Sequence, residues 1–171
     1  ARAVCFAHWP VATDRIRPHL PDPLDPMRVE DTAWLSVVVL EMVDVQAGPV
    51  PTLARPFTQV NFRTYVEHAE TGDPGVYFLS LDCGDGLAGA VGNGVWGLPF
   101  HRADSSTVSR GDEVVVRSRR VGDGPEARFG ARYRPVGESF QAQPGTLEDA
   151  LIERHRFFVE RSGSVVAGEI D

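Results

Sequence analysis

An antiparallel, mainly β protein, a sandwich or a barrel, is the fold class this sequence predicts. Three observations carry that expectation. Apolar and polar residues alternate strictly over residues 58–68. Strand-like stretches such as 33–45, 76–82, 112–120 and 165–170 recur between Gly- and Pro-containing turns. The segments with helical spacing are few and short. Strands separated by turns at short intervals favour a sandwich or barrel over an α/β fold.

The elements follow in order. Residues 3–8 alternate small and large side chains and read as an opening strand. Residues 13–20 read as a short helix with Thr13 as N-cap and Ile16 and Leu20 on one face. Pro21, Pro23 and Pro26 then oppose regular structure. The Val- and Leu-rich stretch 33–45 suits a strand packed on both sides. Residues 48–56, with three prolines, read as a loop.

Residues 58–68 and 76–82 form a hairpin around a turn at 70–74. A Gly-rich segment, 84–97, follows; it lacks the phosphate-binding glycine spacing and a β-α-β setting. Residues 112–120 and 127–134 make a second hairpin around Gly122-Asp123-Gly124-Pro125. Residues 146–158 are the best helix, with Thr146 as N-cap, Glu148 and Asp149 in the first turn, and Leu147, Leu151, Ile152 and His155 on one stripe. Ser162-Gly163 turns into a last strand, 165–170.

Composition narrows function by exclusion. The chain of 171 residues suits one domain with its own core. Its net charge is −7, and all 17 basic residues are arginine. A net-acidic surface repels phosphate backbones, so nucleic acid is not an expected partner. The Arg-rich stretch 110–134 alternates with Val and Gly and reads as a solvated sheet face. No apolar run approaches the ~20 residues of a membrane helix. Without a visible secretory signal, a cytoplasmic location is the default expectation. The absence of an initial Met suggests a trimmed or incomplete N-terminus. Cys5 and Cys83 read as buried free thiols, and Trp9, Trp34 and Trp96 as core. The five histidines have no metal-ligand spacing, so neither metal nor cofactor is expected.

One polar row stands out. Gln59, Asn61, Arg63 and Tyr65 share one face of the 58–68 strand, opposite Val60, Phe62, Thr64 and Val66. Two readings stand: a strand face in water, or an inward row whose guanidinium fork orients a small carboxylate.

Six segments together resemble the YqjF-like proteins, domain of unknown function 2071. They are Phe6-Ala7-His8-Trp9-Pro10-Val11 with Leu20-Pro21, residues 34–42, Asn61-Phe62-Arg63-Thr64-Tyr65-Val66, residues 74–82, Gly97-Leu98-Pro99-Phe100-His101-Arg102-Ala103, and residues 147–158. That family looks like a branch of the acetoacetate decarboxylase-like superfamily. The resemblance implies an antiparallel, closed, double-layered β-barrel with a few helices, spanning 1–171 as one domain and continuing beyond it in the family pattern. Oligomers are common in the superfamily, so a homo-oligomer is implied in the same way.

The decarboxylase motif runs Trp-Gly-aromatic-Pro-Lys-Lys, and its first lysine forms the Schiff base while the second lowers its pKa. The matching stretch here is Trp96-Gly97-Leu98-Pro99-Phe100-His101. The resemblance therefore puts Phe100 at the position of the amine, His101 at that of its neighbour, and Gln59 where a carboxylate is usual. Asn61, Arg63 and Tyr65 fit the YqjF-like pattern and are implied to face a cavity. The expected function is binding of a small carboxylate or carbonyl compound by Gln59, Asn61, Arg63, Tyr65 and His101, without Schiff-base chemistry. The alternatives are an enzyme using His101 as general base, and an interaction protein with a packed core.

Overall fold

The computed structural model describes residues 1–43, 45–47, 50–53, 55–122 and 124–169. Among them lie twelve strands: β1 (Arg2–Val11), β2 (Leu24–Pro26), β3 (Ala33–Met42), β4 (Val45–Ala47), β5 (Val50–Leu53), β6 (Phe57–His68), β7 (Pro74–Cys83), β8 (Phe100–Arg110), β9 (Glu113–Arg120), β10 (Arg128–Tyr133), β11 (Arg156–Arg161) and β12 (Ser164–Glu169). The helices are short: α1 (Thr13–Ile16), α2 (Gly86–Val91) and α3 (Leu147–Ile152), with a 3-10 turn at Arg17–His19 and a π turn at Gly92–Trp96. One sheet runs in the order β1-β3-β6-β7-β8-β9-β10; β2 bonds to β6, β11 to β7 and β12 to β11, while β4 and β5 form a separate ribbon. Two pairings are parallel: β7 bonds to β11 at Val76–Tyr77 and to β8 at Leu81–Cys83.

The chain divides into two compact units. The first holds Ala1–Cys5, Val38–Asn61 and Ser80–Gly137; the second holds Phe6–Val37, Phe62–Leu79 and everything from Glu138 onward. Strands β8, β9 and β10 form an antiparallel meander in the first unit. Arg117, Arg119, Arg128 and Arg132 are exposed on it, so this Arg-rich stretch is a solvated face as expected. Arg120 is the exception and pairs with buried Asp82.

The second unit is built on an apolar cluster of Ile16, Leu20, Leu24, Ala33, Val66 and Phe158, with Val11, Leu35, Tyr77 and Val165 packed against it. The spacing of Ile16 and Leu20 thus serves as anticipated. Hairpin β11–β12 turns at Ser162 and Gly163, whose φ values of 52° and 79° are those a type I′ turn demands.

Several expectations need correction. The C-terminal helix stops at Ile152 rather than 158, because Phe157, Phe158 and Val159 are buried in β11 between β7 and β12. His155 is exposed instead of sitting on an apolar stripe. Residues 100–110, unassigned from the sequence, are β8. Thr13 is the first residue of α1 rather than its cap. The Pro-rich stretch 21–26 still contributes β2, and 50–53 is strand rather than loop; proline is tolerated at the edges and ends of such short strands. Gly48, Pro49, Asp44, Asp123 and Ile170, parts of the expected loop, strands and turn, lie outside the described residues. Trp9 and Trp96 are exposed rather than core, and Trp34 is half-buried with its indole N–H donating to the Val29 carbonyl (3.1 Å). Of the two free thiols only Cys83 is fully buried.

Close approach explains one glycine of the second unit. A Cβ on Gly75 would lie 2.7 Å from the Phe158 ring and 3.0 Å from the Arg156 carbonyl, which is backbone and cannot swing aside. Gly75→Ala is expected to lose about 1–3 kcal/mol, the range of overpacking, in thermal or denaturant unfolding. An unchanged midpoint would show that β7 and β11 are not held this tightly.

Candidate functional site

Strand β6 carries the polar row. Gln59, Asn61, Arg63 and Tyr65 are all buried, and Phe62 on the other face is the exposed one. The reading of this row as a solvated strand face does not hold. Its members fall into two groups. In the first unit the Gln59 amide donates to the Asn61 side-chain carbonyl (2.7 Å). Arg63 and Tyr65 belong to the second unit.

There, the six-residue helix α3 ends with unsatisfied carbonyls, as every helix does. The Leu151 carbonyl receives the Tyr65 hydroxyl (2.6 Å) and an Arg63 Nη2–H (3.3 Å). The Tyr65 oxygen also meets Ser36 Oγ at 2.7 Å, and Ser36 Oγ meets His8 Nδ1 at 2.6 Å. His8 and Ser36 are residues that sequence reasoning missed. His8 lay inside a quoted motif, and only its place on β1 marks it as anything but a lone histidine. The Arg63 guanidinium carbon lies 5.4 Å from the Phe6 ring centre and 5.6 Å from that of Tyr65, within cation–π range.

Two buried nitrogens in this group have no hydrogen-bond partner among the described residues: His8 Nε2 and Arg63 Nε. Arg63 is 5 % exposed, and no ion pair among the described residues includes it. A guanidinium does not shed its proton, so it stays charged in the interior. Burial holds the His8 imidazole below its ordinary pKa of 6.5, and the nearby Arg63 charge pushes the same way. His8 is thereby kept neutral at neutral pH.

His101 sits in the first unit, on β8. It pairs in register with Asp82 of β7. Arg120 Nε (2.9 Å) and Nη2 (2.6 Å) both donate to Asp82 Oδ1, and Nη2 also reaches Ser80 Oγ (3.1 Å). Burial lowers the His101 pKa, Arg120 adds to that, and Asp82 pulls against it. Phe100 precedes it and is locked in place. Asn93 donates to the Phe100 carbonyl and accepts from its N–H, both at 3.0 Å. A Cβ on Gly92 would come within 2.3 Å of the Phe100 ring, so the π turn lies directly on that side chain.

Comparison with known proteins now decides the family. The model of domain of unknown function 2071, described as an uncharacterized conserved protein, matches residues 1–171. The chain belongs to this family. The uncharacterized protein YqjF of Bacillus subtilis (strain 168) is 36% identical over 157 residues, 91% of this chain and 64% of that protein. The chain thus spans just under two thirds of that relative's length. Two solved structures are similar in fold at low identity. An acetoacetate decarboxylase superposes with a TM-score of 0.65 at 15% identity, covering 98% of this chain and 65% of the other. The enduracididine biosynthesis enzyme MppR, complexed with the condensation product of pyruvate and imidazole 4-carboxaldehyde, gives 0.59 at 14% identity, covering 96% and 64%. The resemblance read from the motifs therefore holds, and so does the mainly β, acetoacetate decarboxylase-like fold. Among the described residues no helix is long and apolar enough to cross a membrane, and no three His, Cys, Asp or Glu are grouped to hold a metal ion.

Two expectations follow from this YqjF-like site. Tyr65→Phe removes the proton given to Leu151 and the acceptor used by Ser36, both in the interior. It should cost about 1–3 kcal/mol of stability by denaturant unfolding, and a cost near zero would mean that the contact does not hold α3. The second concerns pH. With folded pKa values below 6.5, His8 and His101 bind fewer protons folded than unfolded, so stability is complete above pH ~6.5 and declines as pH falls below it. The melting temperature, followed from pH 8 to 5, should drop for the native chain and drop less for a His8→Asn, His101→Asn double variant. Parallel curves would contradict this assignment.

Proposed function

We propose that this protein binds a small organic acid or carbonyl compound, with Arg63 holding the ligand's anionic oxygen, and without Schiff-base chemistry. The observation that carries the reading is the buried Arg63 charge, which has no carboxylate partner among the described residues and leaves Nε unbonded. The Leu151 carbonyl and the Phe6 and Tyr65 rings compensate this interior charge only in part, and a ligand carboxylate would add paired, charge-assisted hydrogen bonds. Tyr65 and the neutral His8 supply further polar atoms to the same region. MppR, a fold neighbour, is described in complex with a pyruvate-derived product, which agrees with a small acid as ligand. Against Schiff-base chemistry stands the lack of lysine in these 171 residues, with Phe100 at the matching motif position.

The test is a thermal-shift and calorimetric screen of small carboxylates and β-dicarbonyl compounds. An acid at one hundred times its Kd should stabilise the protein by about 2.7 kcal/mol. Arg63→Met should keep the fold and lose that response. The reading fails if no acid binds, or if Arg63→Met binds one undiminished.

A second reading makes His101 a general base. Its support is the place of His101 opposite Asp82, the carboxylate that Arg120 holds, with the imidazole free to accept a proton at neutral pH. Full turnover by His101→Gln on an identified substrate would end it.

A further inference from the structure

Hydrogen-bond direction around Tyr65 fixes the protonation of His8. A carbonyl only accepts, so the contact of Tyr65 with Leu151 uses the tyrosine's single proton. The 2.7 Å contact between Tyr65 and Ser36 must then be bridged by the serine proton. With that proton used, the 2.6 Å contact between Ser36 Oγ and His8 must be bridged by a proton on Nδ1. Any other arrangement leaves two lone pairs facing each other at under 2.8 Å. The chain therefore runs His8 Nδ1–H to Ser36, Ser36 to Tyr65, and Tyr65 to Leu151. A neutral His8 with its proton on Nδ1 carries a bare lone pair on Nε2, and Nε2 is the atom that is buried without a partner.

The other buried, unpartnered nitrogen of this group is Arg63 Nε, a donor. The two groups flank the same rings. The His8 ring lies 6.1 Å from Phe6 and 6.3 Å from Tyr65, and the Arg63 carbon lies 5.4 and 5.6 Å from them. One unmet acceptor and one unmet cationic donor call for a ligand with a proton to give beside an anion to place. A plain carboxylate meets only the second.

We propose that His8 is a ligand-recognising residue of this site, its Nε2 accepting the hydroxyl hydrogen of a hydroxy acid or enol acid whose carboxylate lies on Arg63. This rests on the acid-binding reading and names the class of acid. The hydroxyl donates, Nε2 accepts, and no bond in the ligand is broken.

The experiment compares lactate with propionate, which differ by one hydroxyl. Calorimetry on the native chain should show lactate bound about tenfold more tightly, the ratio one hydrogen bond supplies. His8→Asn keeps an N–H toward Ser36 and removes the Nε2 lone pair. It should bring lactate down to the affinity of propionate and leave propionate unchanged. Nitrogen-15 NMR of the native protein reads the tautomer without any variant: His8 should show a protonated Nδ1 and a bare Nε2, and Nε2 should shift with lactate but not propionate. Equal binding of the two acids, a preference that survives His8→Asn, or a protonated Nε2 in neutral His8 would each overturn this inference while leaving acid binding intact. Failure of both acids to bind, with Arg63 unresponsive to any other, would overturn both.

Discussion

The carbonyl of Leu151 lies in the last turn of α3, and two side chains of one strand, Tyr65 and Arg63, are bonded to it. A helix of six residues is too short to persist by its own hydrogen bonds, and its last carbonyls need donors. The partial negative charge at a helix C-terminus also suits a cation. Helix and strand therefore need each other: α3 is placed by donors from β6, and the interior cation on β6 is partly compensated by the end of α3. Leu151 itself is buried, so apolar packing and polar satisfaction act at one residue. One buried polar chain of the second unit follows from that contact. Once Tyr65 gives its proton to Leu151, its oxygen can only accept, and the roles of Ser36 and His8 are set in turn.

The Phe100 segment is a different kind of constraint. Where the decarboxylase motif has an amine, this chain has a ring seated against Gly92 and a backbone clamped by Asn93. An aromatic side chain there is part of the packing of the π turn, so exchanging it for lysine would undo a contact as well as add a nucleophile. Motif comparison sees the missing amine. The structure adds that the Phe100 ring is packed against the π turn.

Legibility tracked how local the physical cause was. Strand β6 was readable because its period-2 pattern lies within eleven residues; that its polar row is buried is a finding of the structure. Strand β11 was not, because Phe157, Phe158 and Val159 extend an apolar helical spacing that begins at Leu147. Pairing with β12 in the hairpin, and with β7 some 80 residues earlier in the chain, makes them strand. Strand β8 was missed because its alternation is between small polar residues and leaves few apolar positions to count. The site shows the same division. Arg63 and Tyr65 were singled out from one strand, whereas His8 and Ser36 join them from 57 and 29 residues away from Tyr65. No pattern within a window links them.

The identity of the cation decides how this interior behaves. A buried lysine can answer desolvation by losing its proton, and a site built on one can be neutral when empty. Arginine has no such route. Position 63 therefore stays cationic, and the neighbouring imidazole is the group that yields: burial first, and the Arg63 charge second, lower the pKa of His8. An anion placed against Arg63 would offset the smaller, electrostatic part of that lowering and leave the part due to burial.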